Sequence, residues 1–309
     1  MEIRQLEYFV EIARQRGFSR AAAHLYIAQS ALSRQINLLE QELGVALLLR
    51  TGRGVQLTEA GEVFLARAES IIRQCRQVRQ EVAPANAPGG ELSIGMPPSL
   101  SATLAAPLLI GLRERFPLIF VDAWIETSIL LREFVIRGKL DIAVLGLAEA
   151  ESVLNTQALV TEDLFLVGPS AARLDADNVV SIAEAAARPL ILTSRPNSIR
   201  VLVESALKQH GVPKIVMEVN SVPLLLELVE AQIGHTILPH SAIQASLQKQ
   251  LLTASRLADL SLDWVIATSR ERPLSAGAIR AQELMRQIVD EAIATGRWQY
   301  ARRPDDAQH

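Results

Sequence analysis

The chain has a single cysteine, Cys75, among its 309 residues. A lone thiol fits a protein of a reducing compartment, and on an apolar helix face it behaves as a small hydrophobic residue. A redox switch between two Cys75 side chains is the alternative interpretation. With only 5 histidines as well, the composition argues against a zinc site.

Long apolar runs are also missing. No uncharged apolar stretch reaches membrane-spanning length, and Glu2, Arg4 and Glu7 interrupt the first helix, so no secretory signal is expected. We therefore expect a soluble, cytoplasmic protein. The length predicts about two domains, the hydrophobic content of 49% is ample for a core, and the low aromatic content of 4% is compatible with an α/β body.

The common catalytic motifs are absent. The sequence contains no Gly-x-Ser-x-Gly, Gly-x-Gly-x-x-Gly or phosphate-loop pattern. Asp141 and Asp163 fit best as strand-start residues, so no acid–base pair stands out. We expect a protein that is not an enzyme and needs no cofactor or metal. The alternative is an α/β enzyme or solute-binding protein fused to an incidental helical head.

The first sixty residues contain two short helices joined by a tight turn. Residues 19–25 form the first, residues 26–28 the turn, and residues 29–43 the second helix, which Gly44 ends. Leu32, Ile36, Leu39 and Leu43 recur at spacings of four, three and four, which places them on one buried face. The pattern predicts a helix-turn-helix whose second helix lies in a major groove.

The opposite face of the second helix carries hydrogen-bonding side chains and no acidic one. A glycine-rich turn between two strand-like segments (45–49 and 55–57) then predicts a hairpin whose arginines reach phosphates or a minor groove. An ordinary solvated turn is the alternative for that hairpin. The predicted DNA-binding residues are Ser19, Arg20, Gln29, Ser30, Ser33, Arg34, Asn37, Arg50 and Arg53.

The charge balance agrees with this assignment. Residues 1–82 hold 11 Arg and no Lys against 9 Glu and no Asp, a balance of +2. The whole chain has 31 basic and 34 acidic residues, so the remainder carries 20 against 25, a balance of −5. A basic head on an acidic body suits a polyanionic partner for the head alone, although the same arginines would also suit ordinary helix surface.

Residues 1–72 resemble the LysR-type transcriptional regulators. The resemblance is carried by residues 6–9, 19–22, 29–36, 39–40, 43–44, 48–50 and 57–61. It implies an α/β protein with an N-terminal winged helix-turn-helix, a dimerising linker helix and a two-subdomain effector-binding domain like periplasmic binding proteins. Many members have proline where this chain has Ser30, so the start of the second helix is expected to contact DNA slightly differently.

Residues 59–87 are predicted to form the linker helix. Apolar side chains repeat there at spacings of four and three, a heptad seam typical of a coiled-coil dimer. The alternative is a single helix packed on its own domain. The seam residues are Phe64, Ala68, Ile71, Cys75, Val78 and Val82.

Residues 88–309 alternate between short apolar strands and helical patterns, which predicts parallel sheets built from crossover units. The strand candidates include residues 164–167, 190–193, 215–219 and 264–267. The resemblance divides this region into subdomain I (91–162 and 268–300) and subdomain II (163–267), after a DNA-binding domain at 1–58. It also implies that the chain passes from subdomain I to subdomain II near residues 163–168 and returns near residues 263–269.

Ligands of such sheets bind outside the carboxyl ends of the strands, here in the cleft between the subdomains. Hydroxyls and one arginine at helix starts suit a small carboxylate, although each serine or threonine also fits a routine N-cap. Arg195 has the further alternative of pairing with a nearby glutamate. The predicted effector-binding residues are Pro98, Ser99, Leu100, Thr127, Ser128, Ser194, Arg195, Asn197, Ser221 and His235.

The expected partners are therefore double-stranded operator DNA, a small carboxylate effector and further copies of the chain. A dimer follows from the seam, and a tetramer is implied by the resemblance alone. Contact with RNA polymerase is a further expectation, and no membrane partner is expected.

Overall fold

The computed structural model describes residues 1–51, 54–81, 90–146 and 153–304. The chain forms two compact units, of which the first comprises Met1–Gly90 and Arg137–Lys139 and the second comprises the remaining residues from Glu91 onward. The first unit contains α1 (Ile3–Gln15), α2 (Phe18–His24), α3 (Gln29–Leu43), β1 (Leu48–Thr51), β2 (Gly54–Leu57) and α4 (Glu59–Glu81). This is the predicted helix-turn-helix followed by a hairpin and a long helix.

Local sequence signals set the ends of α3. Gly44 adopts φ 69°, a left-handed conformation that favours glycine and ends the helix after Leu43. Leu32, Ile36 and Leu39 are buried as predicted, whereas Leu43 is 38% exposed because it lies in the last turn, beyond the core. The hairpin is confirmed, but its first strand begins at Leu48 rather than at residue 45.

Helix α4 packs on α1 of the same chain. Ala68 is fully buried and Ile72 nearly so, in a cluster with Leu6 and Val10 of α1. The ring of Phe64 lies edge-on to that of Phe9, with centroids 5.1 Å apart. One side of α4 is therefore occupied within the chain.

The second unit alternates strands and helices. Its strands are β3 (Gly90–Met96), β4 (Ile119–Ile125), β5 (Ile142–Gly146), β6 (Leu154–Pro169), β7 (Val179–Val180), β8 (Leu190–Thr193), β9 (Ile215–Val219), β10 (Thr236–Pro239), β11 (Leu252–Ser269) and β12 (Ala301–Arg302). Its helices are α5 (Ala106–Arg115), α6 (Ser128–Ile136), α7 (Ile182–Ala186), α8 (Ser198–Lys208), α9 (Val222–Glu230), α10 (His240–Gln248) and α11 (Ala276–Ala294). None of the helices in the described ranges is long and apolar enough to cross a membrane.

Two sheets share these strands. The larger has the order β10-β6-β11-β5-β3-β4, with β12 beside β6 and β7 beside β11, and the smaller consists of β8 and β9. The expectation of parallel sheets was wrong for the two long strands of the larger one, since β6 and β11 run antiparallel to each other and to their neighbours β10 and β5. The pairs β3–β5 and β8–β9 are parallel.

The strands β6 and β11 extend through both subdomains. Residues 154–160 of β6 pair with the part of β11 that borders β5 in subdomain I, while residues 164–167 pair with β10 of subdomain II. The sequence predicted only residues 164–167 and 264–267 of these strands. The crossing lies at Thr161, Glu162 and Asp163, whose side chains are largely buried. Because these side chains are polar, a hydrophobicity pattern did not indicate that the strand continues through them.

Candidate functional site

The polar face of α3 is open to solvent. Ser30, Arg34 and Asn37 are exposed, and within the described part of the chain their side chains form no hydrogen bond or ion pair. A guanidinium, an amide and a hydroxyl on one helix face match the donors and acceptors of base edges in a major groove. This surface is free to bind a ligand without first breaking an internal contact.

Two neighbouring residues are held in place at the edge of this face. Arg50 of β1 donates to Ser33 Oγ at 2.7 Å, and its guanidinium lies 4.5 Å from the ring centroid of Phe18. Ser19 Oγ donates to Gln29 Oε1 at 2.9 Å, which leaves the amide nitrogen of Gln29 as a donor. Arg50 and Gln29 are thereby pre-oriented beside the exposed residues of α3.

The start of α3 has no side-chain cap. Ala28 is the N-cap, and its neighbours Gln29 and Ser30 are exposed, so the positive end of the helix dipole lies at the surface. Arg20 of α2 is also exposed and donates to the carbonyl of Arg16 at 3.3 Å. Arg53 lies outside the described residues.

The predicted seam on α4 divides into two parts. Phe64 and Ala68 pack against α1, as the single-helix alternative held. Val78 is 57% exposed, and Ile71 and Cys75 are half-buried. Val82 lies outside the described residues. The apolar side chains of α4 that remain open are Val63 (65% exposed), Cys75 and Val78, together with the exposed part of Ile71, which packs at the edge of the cluster with α1.

A groove continues this open side of α4. It has a volume of about 510 Å³ and is lined mainly by apolar side chains, with one acidic and one basic residue. Leu43 and Val45, at the end of α3, form its far wall and are both about 40% exposed. The lining residues are Leu43, Val45, Leu47, Glu59, Ala60, Val63, Phe64 and Arg67.

In subdomain I the predicted effector residues follow β3 and β4. Pro98 is exposed and Ser99 is 95% buried, in a short turn directly after β3. Leu100 is fully buried in the apolar core, so its side chain does not face the cleft. Thr127 is half-buried at the start of α6, while Ser128 Oγ accepts a hydrogen bond from the amide of Gly146 at 3.0 Å.

In subdomain II the corresponding residues follow β8 and β9. Asn197 caps α8 by accepting from the amide of Arg200 at 3.1 Å, and Ser194 and Ser221 are half-buried in the two loops. Arg195 donates to Glu204 through Nε and Nη2. That bond chiefly lowers the pKa of Glu204, to about 2. The alternative of an ion pair for Arg195 is thus realised, with Nη1 outside the pair.

Sequence reasoning missed a buried arginine in the same loop region. Arg200 is 3% exposed and donates to Thr193 O at 3.0 Å, to Glu218 at 2.8 Å and to Glu204 at 3.2 Å. These contacts fix the carboxyl end of β8 to the first turn of α8. The spacing Arg200–Glu204, one helical turn, was the available signal.

His235 lies at the opposite edge of subdomain II from the residues after β8. It precedes β10 and forms a parallel bridge with Leu190, the first residue of β8. It is therefore separated from the carboxyl edge by a strand of four residues, or about 13 Å. Its ring contacts Arg188 at 3.2 Å, and burial lowers the pKa of its imidazole. The prediction chose the amino end of this strand, although the rule it used requires the carboxyl end.

The carboxyl end of β10 holds a buried carboxylate that the prediction omitted. Glu162 is fully buried, and it accepts from the amide of Ser241 at 2.5 Å and from Ser241 Oγ at 3.0 Å. The indole of Trp264 donates to it at 2.9 Å. Burial raises the pKa of the Glu162 carboxyl, and these hydrogen bonds oppose the rise. Glu162 thus caps the start of α10.

Comparison with protein families divides the chain in the same way. Residues 3–62 match the family model of bacterial regulatory helix-turn-helix proteins of the lysR family. Residues 85–293 match the model of the LysR substrate binding domain. Together these matches cover both units of the structure.

Individual relatives match over almost the whole chain. The nitrogen assimilation regulatory protein nac of Escherichia coli (strain K12) is 33% identical over 97% of this chain and 99% of its own length. The regulator BbuR of Bordetella bronchiseptica is 32% identical over 95% of this chain and 91% of its own.

Two solved structures share the fold. A full-length OxyR variant from Pseudomonas aeruginosa superposes with a TM-score of 0.73 at 23% identity, covering 94% of both chains. Full-length CbnR complexed with its target DNA superposes with a TM-score of 0.70 at 24% identity, covering 93% of this chain and all of that one.

Proposed function

The chain belongs to the LysR family of DNA-binding transcriptional regulators, and we propose that it reads its operator through the exposed face of α3. The observation that carries this proposal is the set of unpaired polar side chains Ser30, Arg34 and Asn37. Arg34 is placed to bind a guanine edge and Asn37 an adenine edge. The uncapped first turn of α3 and the oriented Arg50 supply phosphate contacts that set the register.

The test uses the full chain with random genomic fragments of its host. Fragments that it retains at physiological salt are sequenced, and the binding constant of the best site is measured at several salt concentrations. We expect a common motif with two half-sites and a steep loss of affinity with salt, as for any protein that neutralises several phosphates. Binding with no common motif would contradict base reading by α3.

We further propose that two copies dimerise through the open side of α4, formed by Val63, Ile71, Cys75 and Val78. These residues lie at spacings of eight, four and three along a helix whose other side is already covered by α1. In an antiparallel pair centred between Ser70 and Ile71, Val63 of one copy lies opposite Val78 of the other. Val78 would then fill the groove beside Leu43 and Val45.

This interface is tested by a matched pair of charge substitutions. Val78→Asp introduces a carboxylate at a site that is 57% exposed in one chain, so the monomer should fold, but the dimer would bury an unpaired charge. Val212→Asp, at a site 99% exposed in the second unit, is the control. Sedimentation should show dissociation for Val78→Asp alone, and an intact dimer there would refute the interface.

Contacts between second units would extend the dimer to a tetramer. The edge strands β4 and β9 support this, since Phe120 is 68% exposed, Leu118 precedes β4 at 61%, and Val216 and Met217 are about 40% exposed. A β4 edge of one copy beside the β9 edge of another gives two equivalent contacts around a two-fold axis. Phe120→Asp should convert the tetramer to a dimer. The base sequence that the protein prefers in its operator should stay the same.

For the second unit we propose a small carboxylate effector in the cleft at the carboxyl ends of the strands. The residues we assign are Ser99, Thr127, Ser128, Ser194, Arg195, Asn197 and Ser221, with the helix starts of α6, α8 and α9 supplying oriented amides. Arg195 contributes through Nη1, which Glu204 does not use. The effector controls DNA binding, and contact with RNA polymerase belongs to the same proposal on the strength of the family role alone.

Calorimetric titration of small mono- and dicarboxylates into the full chain tests the effector. The variant is Arg195→Ala, and the control is Lys208→Ala, because Lys208 pairs with the same Glu204 from the far end of α8. We expect a loss of about tenfold in affinity for Arg195→Ala, as for one charge-assisted hydrogen bond, and none for the control. Equal affinity in both would remove Arg195 from the site.

A further inference from the structure

The segment after α11 runs alongside β6, one of the two strands that join the subdomains. Residues 297–302, called the strap below, run from the end of α11 to β12. Ala301 and Arg302 pair with Glu162 and Thr161 of β6, at the point where β6 passes between the subdomains. The amide of Asp163 also donates to the carbonyl of Tyr300 at 3.0 Å. The strap therefore adds a third strand at the crossing.

Charged and aromatic groups fix the strap at this point. Arg302 donates to Asp163 at 2.5 Å, and Arg256 of β11 reaches the other oxygen of that carboxylate at 3.3 Å. Asp163 thus joins the strap to both crossing strands. Trp298 is 1% exposed and packs into the same core as α11, which anchors the near end of the strap in subdomain I.

Tyr300, in the middle of the strap, packs on subdomain II. The ring of Tyr300 lies 4.8 Å from that of Phe165 and 4.9 Å from that of His240, the first residue of α10. Tyr300 has φ 58°, a left-handed conformation that a non-glycine residue keeps only when its surroundings impose it. The surroundings here are the two rings and the hydrogen bond to Asp163.

Helix α10 lies between the strap and the residues proposed to line the cleft. Its first turn is held by Glu162 through Ser241, directly beside the residues of β6 that the strap pairs with. The same helix contacts the turn Pro98–Leu100 of subdomain I, which includes Ser99 of the proposed effector site. The strap, α10 and this turn form a continuous connection from the crossing strands to the cleft.

We propose that the strap is a conformational restraint, which holds α10 against the turn after β3 and limits how far the two subdomains separate. Loss of its ring contacts frees α10 while leaving the core of each subdomain in place. The regulatory consequence, a change in cleft opening that the effector senses, rests on the effector proposal above. The restraint itself does not, so it is tested without a ligand.

Hydrogen–deuterium exchange of the full chain tests the restraint. The variant is Tyr300→Ala, and Arg303→Ala is the control, because Arg303 pairs with Asp290 of α11 rather than with the crossing strands. We expect exchange on the order of tenfold faster in residues 97–104, 161–163 and the first turn of α10, as for a local opening. Exchange in α3, α8 and α9 should stay unchanged.

Two further variants separate the effect of the Tyr300 ring from that of the Arg302 ion pair. Tyr300→Phe retains the ring and should restore wild-type exchange at all three places. Arg302→Gln removes only the ion pair with Asp163 and should accelerate exchange at residues 161–163 by a smaller factor, even if Tyr300→Ala does not fold. Unchanged exchange at residues 97–104 in Tyr300→Ala, or uniform acceleration throughout the second unit in both Tyr300→Ala and Arg302→Gln, would overturn the proposal. A failure of the effector titration alone would leave it standing.

Discussion

The two units use their polar side chains in opposite ways. In the first unit Arg34 and Asn37 point into solvent with no partner in the described part of the chain, whereas in the second Ser128 and Arg200 are bound to groups of their own fold. An exposed polar group forms hydrogen bonds with water until a ligand binds, whereas a buried one needs a hydrogen-bond partner within the protein. A hydroxyl or guanidinium at a strand end is therefore weaker evidence for a ligand than one on an unpaired helix face.

The same contrast separates the effects of substitution. Removing a side chain from the open face of α3 should weaken binding without affecting folding. Removing one from the internal network of the second unit should affect folding directly.

The largest effect is expected at Glu162. Glu162→Leu leaves the buried amide of Ser241 and the indole N–H of Trp264 without an acceptor, and each unsatisfied donor costs about 1–3 kcal/mol. We expect the free energy of unfolding to fall by about 4 kcal/mol in urea titrations. Glu227→Leu, at an exposed position of α9, is the control and should stay within about 0.5 kcal/mol. A comparable loss in both variants would argue against an internal role for Glu162.

The next effect concerns acid sensitivity. Burial lowers the pKa of His240 from 6.5 to about 4, so between these values the unfolded chain binds a proton that the folded chain does not. The contribution is fully present above pH 6.5 and is lost as the pH falls toward 4, by at most about 3 kcal/mol. His240→Leu should flatten the stability difference between pH 7 and pH 4.5. If the exposed His210→Leu flattens it equally, His240 is not the source.

A smaller effect, on binding rather than stability, is expected at Arg34. Arg34→Ala should reduce affinity for the preferred operator by about 2 kcal/mol and relax base choice at one position of each half-site. Its unfolding midpoint should match that of wild type. Arg14→Ala removes the same charge from the side of α1 that faces Glu69 and is the control for general electrostatics. An equal loss of affinity in both variants would mean that Arg34 acts only through charge.

The smallest effect is expected at Arg195. Its side chain is 59% exposed, and an ion pair at such a position contributes little to stability. Arg195→Ala should therefore unfold close to the wild-type midpoint, in contrast to Glu162→Leu. A shift of the unfolding midpoint as large as that of Glu162→Leu would place Arg195 in the internal network and weaken its assignment to the effector site.

Elements with local signals could be predicted from the sequence. The helix α3 has the predicted ends, Gln29 and Leu43, because an apolar repeat and Gly44 define it without reference to the rest of the chain. The strands β8 and β9 also have their predicted bounds, since each is a short run composed mainly of apolar residues between turn signals. The family resemblance supplied the two-subdomain arrangement, which no local signal gives.

Long-range contacts explain what the sequence could not predict. Glu162 is satisfied by Ser241, 79 residues away, and by Trp264, 102 residues away, so its neighbours in sequence give no sign of its burial. The apolar repeat on α4 shows that one side must be covered, but not whether α1 or a second copy covers it. Phe64 and Ala68 are covered by α1, and we propose that a second copy of the chain covers the rest of the seam.

The antiparallel pairing of β6 and β11 has a consequence for recombination between relatives. The chain enters subdomain II after Asp163 and leaves it before Ser261, and these two residues face each other on adjacent strands. Two junctions about 5 Å apart therefore suffice to exchange residues 164–260 for those of another family member. Because Glu162 stays with the recipient, the donor segment must bring a hydroxyl residue at the position of Ser241. Chimeras made at these junctions would exchange most of subdomain II while keeping residues 161–163, where β6 passes between the subdomains.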